Sequence, residues 1–364
     1  VTERRPLGSD YLEWAKLRSD ARYNLTSSGL PYFPLRELPV TLDELELNGS
    51  GAYGWPPLQQ AIANRYSVDV DCVVAAAGTS MANHLALALL LADGGEALIE
   101  HPSYDPILSV ARYLGAEVTR FPRRAEDGFR IDPDEVARAV TPRTRVIAIT
   151  NLHNPSSART DDDTLRALAD VARSVGAKVL VDEVYLDTVW DEGPQTSFHL
   201  GPEFVVTSSL TKAYGLNGLR AGWIFAEQPV AARLWRLNEL FSNINAHPAE
   251  RLALAALEHI GPIAARARRI LEANGAALNA FYRARRDLDV RPYEHGTVSF
   301  PRLTQGSVDG LCDLLRRKYD TTVVPGRFFE MPDHFRIALG VAPETFAEGL
   351  RRLGLALDEL AEAA

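Results

Sequence analysis

Between residues 70 and 225, short apolar runs alternate with longer stretches whose apolar positions recur every three to four residues. Runs at 72–77, 97–100, 117–121, 146–150, 178–182, 204–207 and 221–225 predict strands. Most are nearly unbroken by polar residues, the pattern of strands buried on both faces. The stretches between them predict helices at 80–92, 104–114 and 161–175. The last opens on Asp161, Asp162 and Asp163, which suits the positive end of a helix dipole. Strand–helix alternation of this kind predicts an α/β fold, a large domain with a mostly parallel sheet flanked by helices.

Beyond residue 228 the pattern changes. Residues 229–280 read as helix, broken near Ala246-His247-Pro248 and Gly261-Pro262. Short strands at 297–300 and 335–339 then lie beside helices at 307–319 and 345–362. This predicts a smaller α/β domain. The expected division is a large domain over 38–250, with 1–37 and 251–364 forming an N-terminal arm and the small domain. The proline-rich stretch 31–39 belongs to that ordered arm.

Composition narrows the field. A chain of 364 residues suits about two domains. The net charge is −9, and the arginines at Arg283, Arg285 and Arg286 are interleaved with acidic residues. A nucleic-acid surface calls for clustered positive charge, so none is expected. Cys72 and Cys312 make neither a disulfide framework nor a metal motif, which fits a reducing compartment. No apolar segment follows basic residues at the start, and the longest apolar stretch, 85–92, is too short for a bilayer. No membrane association is expected, and the expected setting is the cytoplasm.

Candidate chemistry concentrates in residues 207–223, Thr-Ser-Ser-Leu-Thr-Lys-Ala-Tyr-Gly-Leu-Asn-Gly-Leu-Arg-Ala-Gly-Trp. Lys212 can hold a carbonyl cofactor as a Schiff base. Ser209, Thr211 and Arg220 are the groups a phosphate tail needs nearby. In open parallel sheets, ligands bind beyond the carboxyl ends of the strands. Those ends carry Gly78-Thr79-Ser80 opening a helix, Tyr104, Asn154, Asp182 followed by Tyr185, and Ser209 to Lys212. A helix start for phosphate, a ring, an amide, a carboxylate, a phenol and a lysine would thus meet at one edge. This inventory is what pyridoxal phosphate requires, including a carboxylate that keeps the pyridine nitrogen protonated.

With these residues in order, the chain resembles the class I/II aminotransferases, the fold-type I pyridoxal-phosphate enzymes, from about Tyr23 to Leu357. The resemblance implies Lys212 as the Schiff-base lysine and Asp182 as the partner of the pyridine nitrogen. Tyr185 and Asn154 would bond the ring oxygen, and Tyr104 would stack on the ring. Thr79, Ser80, Ser209 and Arg220 would form the phosphate pocket. Tyr53, in Gly51-Ala52-Tyr53-Gly54, would reach the phosphate of a neighbouring subunit, which implies a homodimer with shared sites. Arg336 would grip the substrate α-carboxylate. Ser28, Gly29, Leu30, Tyr32 and the loop 241–245 would line the substrate pocket, whose neutral character implies a neutral side chain.

The motif Asn154-Pro155-Ser156-Ser157 stands where the family has Asn-Pro-Thr-Gly, and Leu58-Gln59 where it has Leu-Arg. Ser80 replaces a lysine frequent in dicarboxylate-specific members, which argues against aspartate or glutamate as the dedicated substrate. The implied reaction is ping-pong amino transfer between an L-amino acid and a 2-oxo acid. Carbon–sulfur lyases, decarboxylases and cyclopropane-forming synthases share the same cofactor residues and stay open as alternatives. A cofactor-sensing regulator would need a basic DNA-binding region, which this acidic sequence lacks.

Overall fold

A computed structural model of the chain describes residues 6–49 and 52–362. Seven strands build the main sheet: β1 (Val73–Ala77), β2 (Glu96–His101), β3 (Glu117–Pro122), β4 (Thr144–Thr150), β5 (Lys178–Asp182), β6 (Phe204–Ser209) and β7 (Ala221–Phe225). Their order is β1-β7-β6-β5-β4-β2-β3. All neighbours run parallel except β7, which is antiparallel to both β1 and β6. The alternation in the sequence therefore yields the mostly parallel sheet it predicts.

Both faces of this sheet are dry. Val179, Val181, Val206, Phe225 and Ile147 point to one face, where they pack with helices α2 (Pro56–Tyr66), α6 (Asp162–Val175) and α9 (His247–Glu258). Leu180, Val205, Ile224 and Ala148 point to the other, against α3 (Gly78–Leu90), α4 (Asp105–Tyr113) and α8 (Gln228–Asn238). Neighbouring residues of one strand thus serve opposite cores, the physical reason these runs are apolar throughout. Asp161 caps α6, its carboxylate accepting the Thr164 amide at 2.8 Å.

A second core joins Leu25 and Leu30 to residues of α10 (Ile260–Arg283), α11 (Val308–Tyr319) and α12 (Pro343–Glu362). Its small sheet orders β8 (Val298–Ser299), β10 (Phe335–Ala338) and β9 (Val324–Pro325), with β10 in the middle. The arm crosses to this core: Tyr23 and Asn24 pair with Thr321 and Thr322.

Several elements differ from the sequence pattern. Helix α1 (Asp10–Leu17), α2, α5 (Pro133–Ala139) and the single turn α7 (Thr211–Tyr214) are additions. The break expected near Gly261-Pro262 is present, two residues earlier. The break falls at His259, and Pro262 sits in the first turn of α10, where its missing N–H would have had no intrahelical partner. The strand expected over 297–300 is only Val298–Ser299. Among the described residues, no helix is long and apolar enough to cross a membrane.

Candidate active site

The carboxyl ends of β1, β2, β4, β5 and β6 deliver nearly all the residues singled out in the sequence to one end of the sheet. Lys212 lies in α7, one residue into the turn that follows β6. Its Nζ donates to Ser28 Oγ at 3.1 Å, and the Tyr185 hydroxyl donates to the same oxygen at 2.9 Å. Ser28 therefore bridges the lysine and the phenol. Gly29 follows it, and a Cβ there would lie 3.4 Å from Lys212 Cδ. The Leu30 amide donates to the Lys212 carbonyl at 3.1 Å, so the arm is stitched across the lysine turn.

Burial of the amine brings the Lys212 pKa down to about 8, assisted by the positive charge of Arg336 and opposed by Asp182. Asp182 closes β5 and is buried. Its Oδ2 accepts from Asn83 Nδ2 at 2.7 Å and its Oδ1 from the Val184 amide at 3.1 Å. Desolvation outweighs these bonds and raises the carboxyl to about 6. Asn83 is in turn fixed by the Thr207 hydroxyl, which donates to its Oδ1 at 2.6 Å. Burial likewise raises the hydroxyls of Tyr185 and Tyr104 above the ordinary phenol range.

The start of α3 forms a cradle. Gly78 has φ +76°, and a Cβ on it would lie 2.4 Å from Arg220 Nη2, so only glycine lets the guanidinium lie against this backbone. Arg220 Nη2 donates to the Ala77 carbonyl at 3.1 Å. The Thr79 hydroxyl donates to Ser209 Oγ at 2.8 Å. Thr211 Oγ1 is buried nearby in sequence with no hydrogen-bond partner among the described residues. Ser80 is exposed on the first turn.

Arg336, on β10, is wholly buried. Its Nη1 donates to Asn154 Oδ1 at 2.9 Å; its Nη2 donates to the Tyr11 hydroxyl at 2.7 Å and the Thr26 carbonyl at 3.0 Å. Its Nε has no partner, and no carboxylate contacts the group among the described residues. Asn154 is held from below: its amide donates to Thr150 Oγ1 at 2.9 Å, and that hydroxyl donates to Glu100 Oε1 at 2.7 Å. Glu100 is itself paired with the buried Arg123 at 2.7 Å.

Tyr53 stands apart from this assembly. It is 44% exposed, stacks on Trp235 at 5.6 Å, and its hydroxyl bonds Glu239. Gly51 of its motif lies outside the described residues. The loop 241–245 comes close from the Arg220 side, where Ser242, Ile244 and Asn245 border a cavity of about 310 Å³ together with Arg220 and Trp223.

Three contributors escaped the sequence reading. Asn83 left a trace, a polar residue on the inner side of an apolar helix. Ser28 was placed near the pocket but not between Lys212 and Tyr185. Tyr11 lies 325 positions from Arg336 in a segment with no motif, and nothing in the sequence joins the two.

The chain matches the family described as aminotransferase class I and II over residues 35–353. It is 30% identical to capreomycidine synthase of Streptomyces vinaceus, over 93% of this chain and 90% of that protein. It is 29% identical to the arginine–pyruvate transaminase AruH of Pseudomonas aeruginosa, over 96% and 94%. Among solved structures, a PLP-dependent cyclase, OrfR, superposes with a TM-score of 0.86 at 26% identity and covers 99% of both chains. A seven-stranded, mostly parallel sheet, a half-buried lysine near a buried carboxylate, and this family match agree: the chain belongs to the class I and II aminotransferases, the fold-type I enzymes that depend on pyridoxal 5'-phosphate.

Proposed function

We propose that this chain is an aminotransferase that moves an amino group between an L-amino acid and a 2-oxo acid in two half-reactions. The observation that carries this reading is Arg336: a wholly buried cation with an open Nε and no carboxylate of its own, near a half-buried lysine of lowered pKa. An unpaired buried charge is costly. A substrate α-carboxylate would supply the missing partner and place the substrate amine beside Lys212.

The residues present fit pyridoxal phosphate. Asp182 would hold the pyridine nitrogen, whose positive charge would favour the ionised carboxylate against the burial that raises its pKa. Tyr185 and the Nδ2 of Asn154 would donate to the ring oxygen, with Tyr104 beside the ring. Thr79, Ser80, Ser209, Thr211 and Arg220 would hold the phosphate at the start of α3. When bound, the cofactor supplies an electron sink for the pair released from the substrate Cα–H bond.

Lys212 then does two things. Near neutral pH an appreciable share of its amine is neutral, so it can bond the cofactor carbonyl. Freed from the cofactor, its Nζ would serve as the base that takes the proton from the substrate Cα and as the acid that returns it to the opposite carbon of the same C–N unit. Arg336, Asn154 and Ser28 hold the geometry in which that transfer is short.

The test is a single half-reaction. Mixing the holoenzyme with one L-amino acid should yield one equivalent of 2-oxo acid and convert the bound cofactor to its amine form. A 2-oxo acid alone should reverse this. Absence of the amine form across a broad panel of L-amino acids overturns the reading. A second reading, ring closure or elimination on the same cofactor, is supported by the likeness to capreomycidine synthase and to a PLP-dependent cyclase over nearly the whole chain. It predicts that the cofactor returns unchanged after each turnover, with the substrate nitrogen kept in a cyclic product or released as ammonia and none left on the cofactor.

A further inference from the structure

A guanidinium has five N–H groups, and a carboxylate docks on it at two points along one edge. Both two-point edges include the Nη trans to Cδ, which is Nη2. In Arg336 both Nη2 hydrogens are engaged, one by the Thr26 carbonyl and one by the Tyr11 hydroxyl. The groups left open, Nε and one hydrogen of Nη1, do not share an edge. Two-point docking therefore requires one of the Nη2 bonds to give way.

Thr26 cannot give way easily. The Leu25 amide donates to the Thr322 carbonyl, the Leu25 carbonyl accepts from Ala338, and the Thr26 amide donates to Asn24 Oδ1. Its backbone is thus held between two neighbouring strands of the same chain. Tyr11 is held differently. It sits on α1, 6% exposed, in an apolar cluster with rings around it: Tyr104 at 6.1 Å, Phe328 at 5.9 Å and Phe329 at 5.8 Å. The Arg336 guanidinium lies 5.3 Å from its ring centre. A small rotation of the ring frees the hydroxyl and leaves these apolar contacts in place.

We infer that the Tyr11 hydroxyl is a placeholder for one oxygen of the substrate carboxylate, satisfying Arg336 Nη2 until the substrate displaces it. This rests on the reading of Arg336 as the carboxylate anchor. It makes Tyr11 a residue that sets substrate affinity by competition. In the free protein its hydroxyl lowers the cost of a buried, half-unpaired cation, and the substrate must replace that bond.

The consequence has an unusual sign. Tyr11→Phe removes the competitor and keeps the ring, so a carboxylate should bind more tightly. The probe is propionate, a carboxylate with no amine to react, titrated into the holoenzyme by calorimetry. The expected result is a dissociation constant about 5-fold lower in Tyr11→Phe, the scale of one hydrogen bond, and a KM for amino acids lowered in step. Ordinary structural damage would loosen binding, so the direction is diagnostic. Equal or weaker binding by Tyr11→Phe overturns the proposal. So does loss of the bound cofactor in that variant, since a displaceable hydroxyl does not hold the site together. Arg336→Lys separates the two readings. It should weaken propionate binding at least tenfold, and unchanged binding there would remove the anchor itself, whatever Tyr11→Phe shows.

Discussion

Lys212 and Asp182 each spend the free state in a protonation balance set by burial, and the two shifts have opposite consequences for stability. Lys212 falls from an ordinary 10.5 to about 8. Between those values the unfolded chain binds more protons than the native one, so this site's contribution to stability rises as pH rises through the window. Below about pH 8 the native state carries the whole penalty, on the order of 2 kcal/mol for a side chain only partly shielded from water. Asp182 rises from 3.8 to about 6, so its penalty appears as pH climbs through that lower window. We predict that cofactor-free Lys212→Met is more stable than the unsubstituted apoprotein at pH 7, and that the advantage fades by about pH 10. Urea midpoints at the two pH values measure this, and a variant that is less stable at pH 7 contradicts it. In the holoenzyme, Lys212→Ala should lose turnover by several orders of magnitude. Borohydride reduction should then attach no cofactor to the chain.

Helix α7 is a single turn, too short to persist on its own. It is held from beneath by Tyr214, whose hydroxyl donates to Asp187 Oδ2 at 2.7 Å and accepts from Arg65 Nη2 at 2.7 Å. Tyr66 of α2 donates to the same carboxylate oxygen at 2.7 Å. Asp187 thus ties the lysine turn, the turn after Tyr185 and α2 into one buried polar cluster. Asp187→Ala leaves two phenols without their acceptor and the Arg65 guanidinium without its ion-pair partner at 3.6 Å. We expect a loss of about 3 kcal/mol in urea unfolding and slower turnover in the fraction that stays folded. A change under about 0.5 kcal/mol, the range of ordinary surface substitutions, would show that the cluster is not what fixes α7.

The same scale explains what was legible in advance. The strands could be read because residues such as Val179, Leu180 and Val181 are buried on both faces, which leaves an unbroken apolar run. The site residues at their ends could be read because each follows a strand. Helix α2 was hidden by Pro56-Pro57, which resembles a turn but occupies the first helical positions, where proline is tolerated. Helix α1 was hidden because its eight residues bury only Tyr11 and Trp14, too few for a period to show. Asn83 and Tyr11 act through contacts far apart in sequence, and spacing along one chain carries no record of such pairs.

At the scale of the whole molecule, one surface is left unfinished. Tyr53 stacks on Trp235, Trp55 lies against His247, and Phe241 packs edge-on to His84. These contacts link the segment before α2, helix α8, the loop that follows it and α3 across one side of the protein. Leu42, Leu47, Leu240, Phe241 and Ile244 are exposed in the same segments, between 40% and 84%. Apolar side chains gathered in this way mark an association surface more often than a solvent face. Among the described residues no contact joins Tyr53 to the cradle of Gly78, Ser209 and Arg220, although residues of the loop 241–245 share a cavity with Arg220. We propose a homodimer in which Tyr53 of each chain reaches the phosphate site of its partner. Sedimentation should give twice the chain mass at micromolar concentration. Phe241→Asp, which places a charge in the surface, should shift the protein toward monomer and raise the cofactor dissociation constant at least tenfold. Tyr53→Phe should weaken cofactor retention several-fold while leaving the dimer intact, because it removes one hydroxyl and no packing. An active, cofactor-saturated monomer would sink the assignment of Tyr53, since a residue facing outward from its own site can serve only a neighbour's.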